Sequence, residues 1–194
     1  LKTDKLQSET ERLALRLLQN HDYESYIEGY QNCLPKQHKY DDDKIDLSEW
    51  TQAKFNGIVT KLHNLADQDR AYVFAVFRKS DGKHIGKVEI STIMRDEFQW
   101  GLLGYRMHNQ HWRRGYGKEA VGETLNIAFD LLNFHRIEAH INVDNFPSIH
   151  LVESIGMELE CTRKKFIYEF GEWTDNLVYY LNSGCREASS KRKI

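Results

Sequence analysis

The chain has 194 residues and a formal net charge of -2, a length that suits one domain with its own core and a charge that gives no global field for nucleic acid. No run of about 18 apolar residues predicts a membrane span, and the polar start Leu1–Asp4 has no signal-peptide apolar region. Cys33, Cys161 and Cys185 lie far apart without a Cys-x-x-Cys pair, and none of the nine histidines forms His-Glu-x-x-His, so a cytoplasmic protein with reduced thiols and no metal is expected.

In chain order, residues 1–10 read as a loose polar start, and Arg12–Leu17 alternates with period two, which predicts a half-buried strand. Asp22 can cap a short helix carrying Tyr23, Tyr26, Ile27 and Tyr30. Pro35 and the Asp41–Asp43 run then break the pattern. That loop is either a solvent-facing connection or an acidic rim that attracts a cationic substrate. Asp46-Leu47-Ser48-Glu49 has capping-box spacing, and the helix after it places Leu47, Trp50, Phe55, Ile58, Val59, Leu62 and Leu65 mostly on one face. Ala71–Phe77 predicts a strand, Asp81-Gly82 a hairpin turn, and His84–Met94 the returning strand. Phe98–Met107 predicts a third strand, in which Gly101 and Gly104 mark a bulge or the close approach of a backbone or ligand.

The stretch His111–Ala120 organises the rest. Arg113-Arg114-Gly115-Tyr116-Gly117-Lys118 leads into the helical spacing of Ala120, Val121, Thr124, Leu125, Ala128, Phe129 and Leu132. A glycine-bearing turn that opens a helix gathers unpaired N–H groups and the positive end of the helix dipole, which makes an anion site. Gly115 and Gly117 allow a ligand close to the backbone, and Arg113, Arg114 and Lys118 add positive charge. The reading is a diphosphate cradle.

Arg136–Val143 alternates as another strand, and Ser148 can cap a short helix that ends at Gly156. Two last strands, Glu158–Phe170 and Asn176–Leu181, are joined by Gly171–Asp175, where Trp173 is either a dimer contact or a pocket wall, so a homodimer stays open. Residues 1–182 form one expected domain, and 183–194, with Lys191–Lys193, an expected flexible tail. The fold class is α/β: a mostly antiparallel, mixed twisted sheet with helices on both faces.

The sequence resembles the GNAT acetyltransferases, specifically the branch typified by ribosomal-protein N-terminal acetyltransferases. The resemblance runs from about Leu13 to Leu181 and is carried by Gly104-Tyr105-Arg106-Met107, Trp112–Ala120, Arg136–Ala139, Asn145-x-x-Ser148, and Glu153-x-x-Gly156-Met157. Trp112 stands where the general pattern has Gln or Arg, and Met157 where it has Phe. The resemblance implies acetyl-CoA as co-substrate, its pyrophosphate on the backbone between Arg113 and Lys118. Its pantetheine arm would lie along the strand ending at Met107, with Asn145 holding an amide of that arm and the helix after Ser148 flanking the thiol.

Acetyl transfer to an amine needs a neutral nitrogen and a stabilised leaving thiolate. The tyrosine acid of many members would fall at Val152, so the resemblance leaves Ser148 as hydrogen-bond donor to the sulfur. His140 stands where some protein-acetylating relatives carry a catalytic glutamate, and histidine can take a proton near neutral pH. Glu89 is the second candidate base, while Glu138 and Glu119 fit structural roles. Without an obvious strong base the site leans toward a protein N-terminal amine, which is far more often neutral at pH 7 than a lysine. A polyamine or antibiotic acceptor, and a non-catalytic acetyl-CoA-binding module, are the alternatives.

Overall fold

A computed structural model describes residues 6–185. Its elements are β1 (Gln7–Glu9), β2 (Leu13–Leu17), α1 (Tyr23–Gln31), α2 (Gln52–Asp67), β3 (Ala71–Arg78), β4 (His84–Met94), β5 (Trp100–Met107), α3 (Tyr116–Asn126), β6 (Arg136–Asn142), α4 (Phe146–Ser154), β7 (Glu158–Glu169) and β8 (Glu172–Asn182). The strands form one sheet in the order β1-β2-β3-β4-β5-β6-β8-β7. Every neighbouring pair is antiparallel except β5 and β6. Helices cover both faces, as expected for a mixed α/β protein. On one face Val88, Ile90, Ile137 and Ile141 pack with Ala120, Val121, Leu125 and Val152 of α3 and α4. On the other, Ala75 and Phe77 of β3 pack with Phe55 and Val59 of α2. No helix among the described residues is long and apolar enough to cross a membrane.

Several local expectations are corrected. Residues 7–9 are not loose: they pair with β2, whose edge would otherwise leave its backbone groups unpaired. Asp22 does not cap α1 with its side chain. It turns back to accept from Gln19 N–H (2.8 Å) and from both terminal nitrogens of Arg16 (2.7 Å each), tying the start of α1 to β2. The second helix begins later than the capping-box spacing implies. Thr51 caps it, accepting from Lys54 N–H, while Asp46 closes a separate turn on Ser48 N–H. Trp50, left outside α2, stacks on Tyr26 (5.7 Å between centroids) and its carbonyl accepts from Tyr23.

Asn145, not Ser148, caps α4; Ser148 sits inside the first turn and donates its own N–H to the Asn145 side chain (3.5 Å). The last loop is shorter than Gly171–Asp175. Phe170 and Gly171 both have positive φ (54° and 83°), the signature of a two-residue hairpin turn, and β8 therefore starts at Glu172. Trp173 is 59% exposed near this tip, edge-on to Tyr168. Residues 183–185 form a short 3-10 turn, and the rest of the expected tail lies outside the described residues.

Candidate active site

The parallel pair holds together for only three residues: Trp100, Gly101 and Leu102 pair with Arg136, Ile137 and Glu138. Beyond Leu102 the two strands part, and β5 presents Leu103–Met107 to an open gap. Close packing and open space alternate along β5. A Cβ on Gly101 would lie 2.9 Å from Ile137 Cδ1, whereas one on Gly104 would meet nothing nearer than Glu89 Cβ at 4.0 Å. A cleft of about 670 Å3 opens at this end, lined by Tyr105 and Met107 of β5, the turn Arg113–Gly117, Asn145 and Ser148, and Gln37, His38, Tyr40 and Asp41 of the loop after α1. Its size is that of a small-molecule or cofactor site.

The turn before α3 has left-handed backbone at two positions. Arg113 and Gly115 take left-handed backbone (φ 59° and 79°), and such turns make anion-binding concavities of N–H groups. Trp112 N–H donates to Asn109 O and Glu119 N–H to Gly115 O. Between them lie the amides of Arg113 to Lys118, those of the turn and of the first residues of α3. That row of donors at a helix start fits the diphosphate of acetyl-CoA. Arg12, which sequence reasoning placed only as the first residue of a strand, clamps the turn: Nη1 donates to Arg114 O (3.0 Å) and Nε to Glu119 (2.7 Å). Burial favours the neutral form of Glu119, but Thr10 and Arg12 hold its carboxyl below the ordinary range. Trp112 also has a role that spacing did not reveal, its Nε1 donating to Met107 O (2.7 Å) and locking the turn to the end of β5. The Lys118 side chain is exposed and outside the cleft lining; its amide belongs to the row.

Tyr105 fixes α4 against the opened strand by donating to Ser148 O at 3.2 Å. Burial pushes its phenol up to about 12, so it stays a donor. Asn145, Ser148 and Met107 all line the cleft.

His140 and Glu89 are not among the cleft-lining residues. Alternation turns Ile137, Ala139 and Ile141 into the α3/α4 core and Glu138, His140 and Asn142 to the other face. Carrying the β5–β6 register two residues past Leu102 sets Gly104 level with His140, across the gap. Glu89 pairs directly with Gly104 and shares its face. Both candidate bases therefore flank Gly104 on the sheet face opposite α3 and α4. His140 Nε2 lies 2.9 Å from Glu138, which is 2% exposed and also accepts from Arg136 Nε (2.9 Å). An irregularity in β7 between Arg163 and Ile167 lays Phe166 edge-on to the His140 ring. Glu89 is partly exposed and takes Ser91 Oγ at 3.0 Å.

Behind the end of β5, His108 Nε2 meets His84 Nδ1 at 3.1 Å, both rings buried. Burial, then the neighbouring His108 charge, pushes His84 down to about 3; burial, then His111, pushes His108 down to about 4. Both folded values lie below the unfolded value of about 6.5, so below that pH the unfolded chain binds more protons and stability falls with pH. Urea midpoints are expected to drop between pH 7 and pH 5, less steeply in His108→Gln; a flat profile would show that this pair is not coupled to folding.

A sheet split between two parallel strands, with a glycine-bearing turn and a helix after the first of them, is the arrangement that the resemblance implies for an acyl-coenzyme A-dependent transferase. The chain belongs to the GNAT acetyltransferases: the family model for the acetyltransferase (GNAT) domain matches residues 12–158. It is an N-acetyltransferase of a fold that binds acetyl-CoA. It is 26% identical to the [ribosomal protein uS5]-alanine N-acetyltransferase of Escherichia coli (strain K12) over 92% of each chain. To a spermidine N(1)-acetyltransferase of Vibrio cholerae it is also 26% identical, over 75% of this chain and 86% of that one. A solved structure of a putative ribosomal-protein-serine acetyltransferase from Vibrio cholerae superposes with a TM-score of 0.73 at 25% identity, covering 93% of this chain and 99% of that one.

Proposed function

We propose that the acceptor is the N-terminal α-amine of a protein, of the ribosomal-protein kind. The observation that carries this reading is the state of the acidic run. Asp41 accepts from Gln37 N–H and Asn109, Asp42 pairs with Arg106, and Asp43 pairs with Lys36. Carboxylates already matched by the protein's own donors and cations are poor attractors for a polycation. The similarity to the alanine acetyltransferase over 92% of both chains supports the same choice.

Acetyl-CoA supplies an activated acetyl thioester; the chain supplies position and proton management. The amides of Arg113–Lys118 hold the diphosphate, with the Arg113 and Arg114 side chains adding charge. Asn145 engages an amide of the arm and Ser148 hydrogen-bonds the leaving sulfur. His140 removes the acceptor's proton, directly or through water, with Glu89 as the second candidate. His140 Nε2 faces Glu138 at 2.9 Å and Arg163 Nη1 at 3.4 Å; in the tautomer that donates Nε2–H to Glu138, Nδ1 is the accepting nitrogen.

The test is an acceptor panel: purified protein with acetyl-CoA and peptides beginning with alanine or serine, spermidine, or an aminoglycoside, read by release of free thiol. Peptides are expected to give the highest kcat/KM. Spermidine as the better substrate would replace this reading with the polyamine one, which the Vibrio cholerae relative favours. Asp41→Asn should then raise the spermidine KM. No thiol release with any of these amines, together with no coenzyme binding by calorimetry, would remove both.

A further inference from the structure

The loop after α1 lines the cleft and is fastened to the end of β5, to the turn after it and to Asp144. Asn109, 8% exposed in the turn that follows β5, is the centre of this fastening. Its Oδ1 accepts from Leu34 N–H (2.7 Å), and its Nδ2 donates to Leu34 O (2.9 Å) and Asp41 Oδ2 (2.9 Å). One amide side chain thereby grips both ends of the segment between residues 34 and 41. The next residue, Asp42, pairs with Arg106, the last residue but one of β5. Within the segment, His38 stacks on Trp112 (5.0 Å, 22°), and Lys39 and Tyr40 both engage Asp144, beside the α4 cap. The gripped segment is a wall of the same cleft that the anion turn lines.

We propose that the Asn109–Asp41 pair is a buckle that holds residues 34–45 closed over the cleft, and that Asn109 is a positioning residue for the acceptor amine. Asp41 and Asp42 of the acidic run are then fasteners of the loop. A wall held this way fixes the path by which an amine reaches the gap between β5 and β6, and it keeps water from the thioester. If the wall loosens, water takes the place of the amine: its oxygen bonds to the acetyl carbon, the C–S bond breaks, and acetate and the free thiol leave, the sulfur taking up a proton. This rests on the cleft being the acetyl-CoA site; it does not depend on which amine is the acceptor.

Asn109→Asp is nearly isosteric, yet it faces Asp41 with a second carboxylate and removes both donors. It is expected to raise the KM of the best amine from the panel about tenfold, the scale of a lost charge-assisted hydrogen bond, with a smaller change in kcat. It should also release thiol and acetate without amine. Adding Asp41→Asn restores a donor to the pair with the roles exchanged and should bring KM most of the way back. Asp41→Ala breaks the buckle from the loop side, at a half-buried position, and should reproduce the single-variant phenotype even if Asn109→Asp folds poorly. Wild-type KM and no amine-independent thiol in Asp41→Ala would overturn the proposal, as would a double variant no better than Asn109→Asp. Calorimetry of acetyl-CoA on the wild-type protein separates the two failures: without binding there, the reading of the cleft itself is wrong.

Discussion

Replacing Gly117 with aspartate is expected to abolish coenzyme binding in a protein that still folds. The position is the second helical residue after the left-handed Gly115, inside the row of amides from Arg113 to Lys118. A Cβ there would lie 3.0 Å from Leu151 Cδ1, the far end of a flexible side chain, so the fold needs only a small shift. The carboxylate is another matter. It occupies the cradle itself, competing for the N–H groups and repelling a diphosphate in a site where water screens poorly. Loss of several charge-assisted hydrogen bonds at about 1.4 kcal/mol per tenfold gives an increase in Kd of at least about a hundredfold. The variant should keep its helical signal and cooperative unfolding, since Asp in a first helical turn suits the helix dipole. Calorimetry with acetyl-CoA is the measurement. Unchanged affinity would move the anion site elsewhere.

That stretch was legible in the sequence because its information is local. Two glycines, three cations and an immediately following helical period lie within twenty residues, and the left-handed turn at Gly115 that opens α3 is formed by these residues themselves. The sheet was legible for a similar reason, since alternation along Leu13–Leu17 or Arg136–Asn142 reports burial directly. Helix starts were less so. Asp22, Asp46 and Ser148 are all good capping types, but the chain used Thr51 and Asn145, and the choice depended on where α2 and α4 dock. The fastening of the cleft could not be read at all. Asn109 and Asp41 are 68 residues apart, as are Arg12 and Glu119 by 107, and nothing in either neighbourhood announces its partner. The same limit applies to His140: its strand and face follow from spacing, but the Phe166 ring laid over it comes from an irregular strand that spacing reads as regular.

His140→Ala supplies the second large effect and also bears on the acceptor. If His140 takes the proton from the attacking amine, the variant should lose about a hundredfold or more in kcat at pH 7, the contribution typical of a placed general base. The loss should depend on pH in a way that packing would not. An α-amine titrates at about 7.7–8.0, so above that range the acceptor arrives mostly neutral, and the advantage of a base shrinks. For a peptide N-terminus the ratio of wild-type to variant kcat should therefore fall steadily from pH 7 to pH 9. For a polyamine or lysine amine, which titrates near 10.4, it should hold across the same range. Glu138→Gln is the companion measurement, because it keeps a hydrogen-bond acceptor for His140 Nε2 while replacing the carboxyl group with an amide. A near-normal kcat in His140→Ala would return the ring to packing between Glu138 and Phe166. The proton would then be assigned by the same series on Glu89→Gln, across Gly104 on the same face of the sheet.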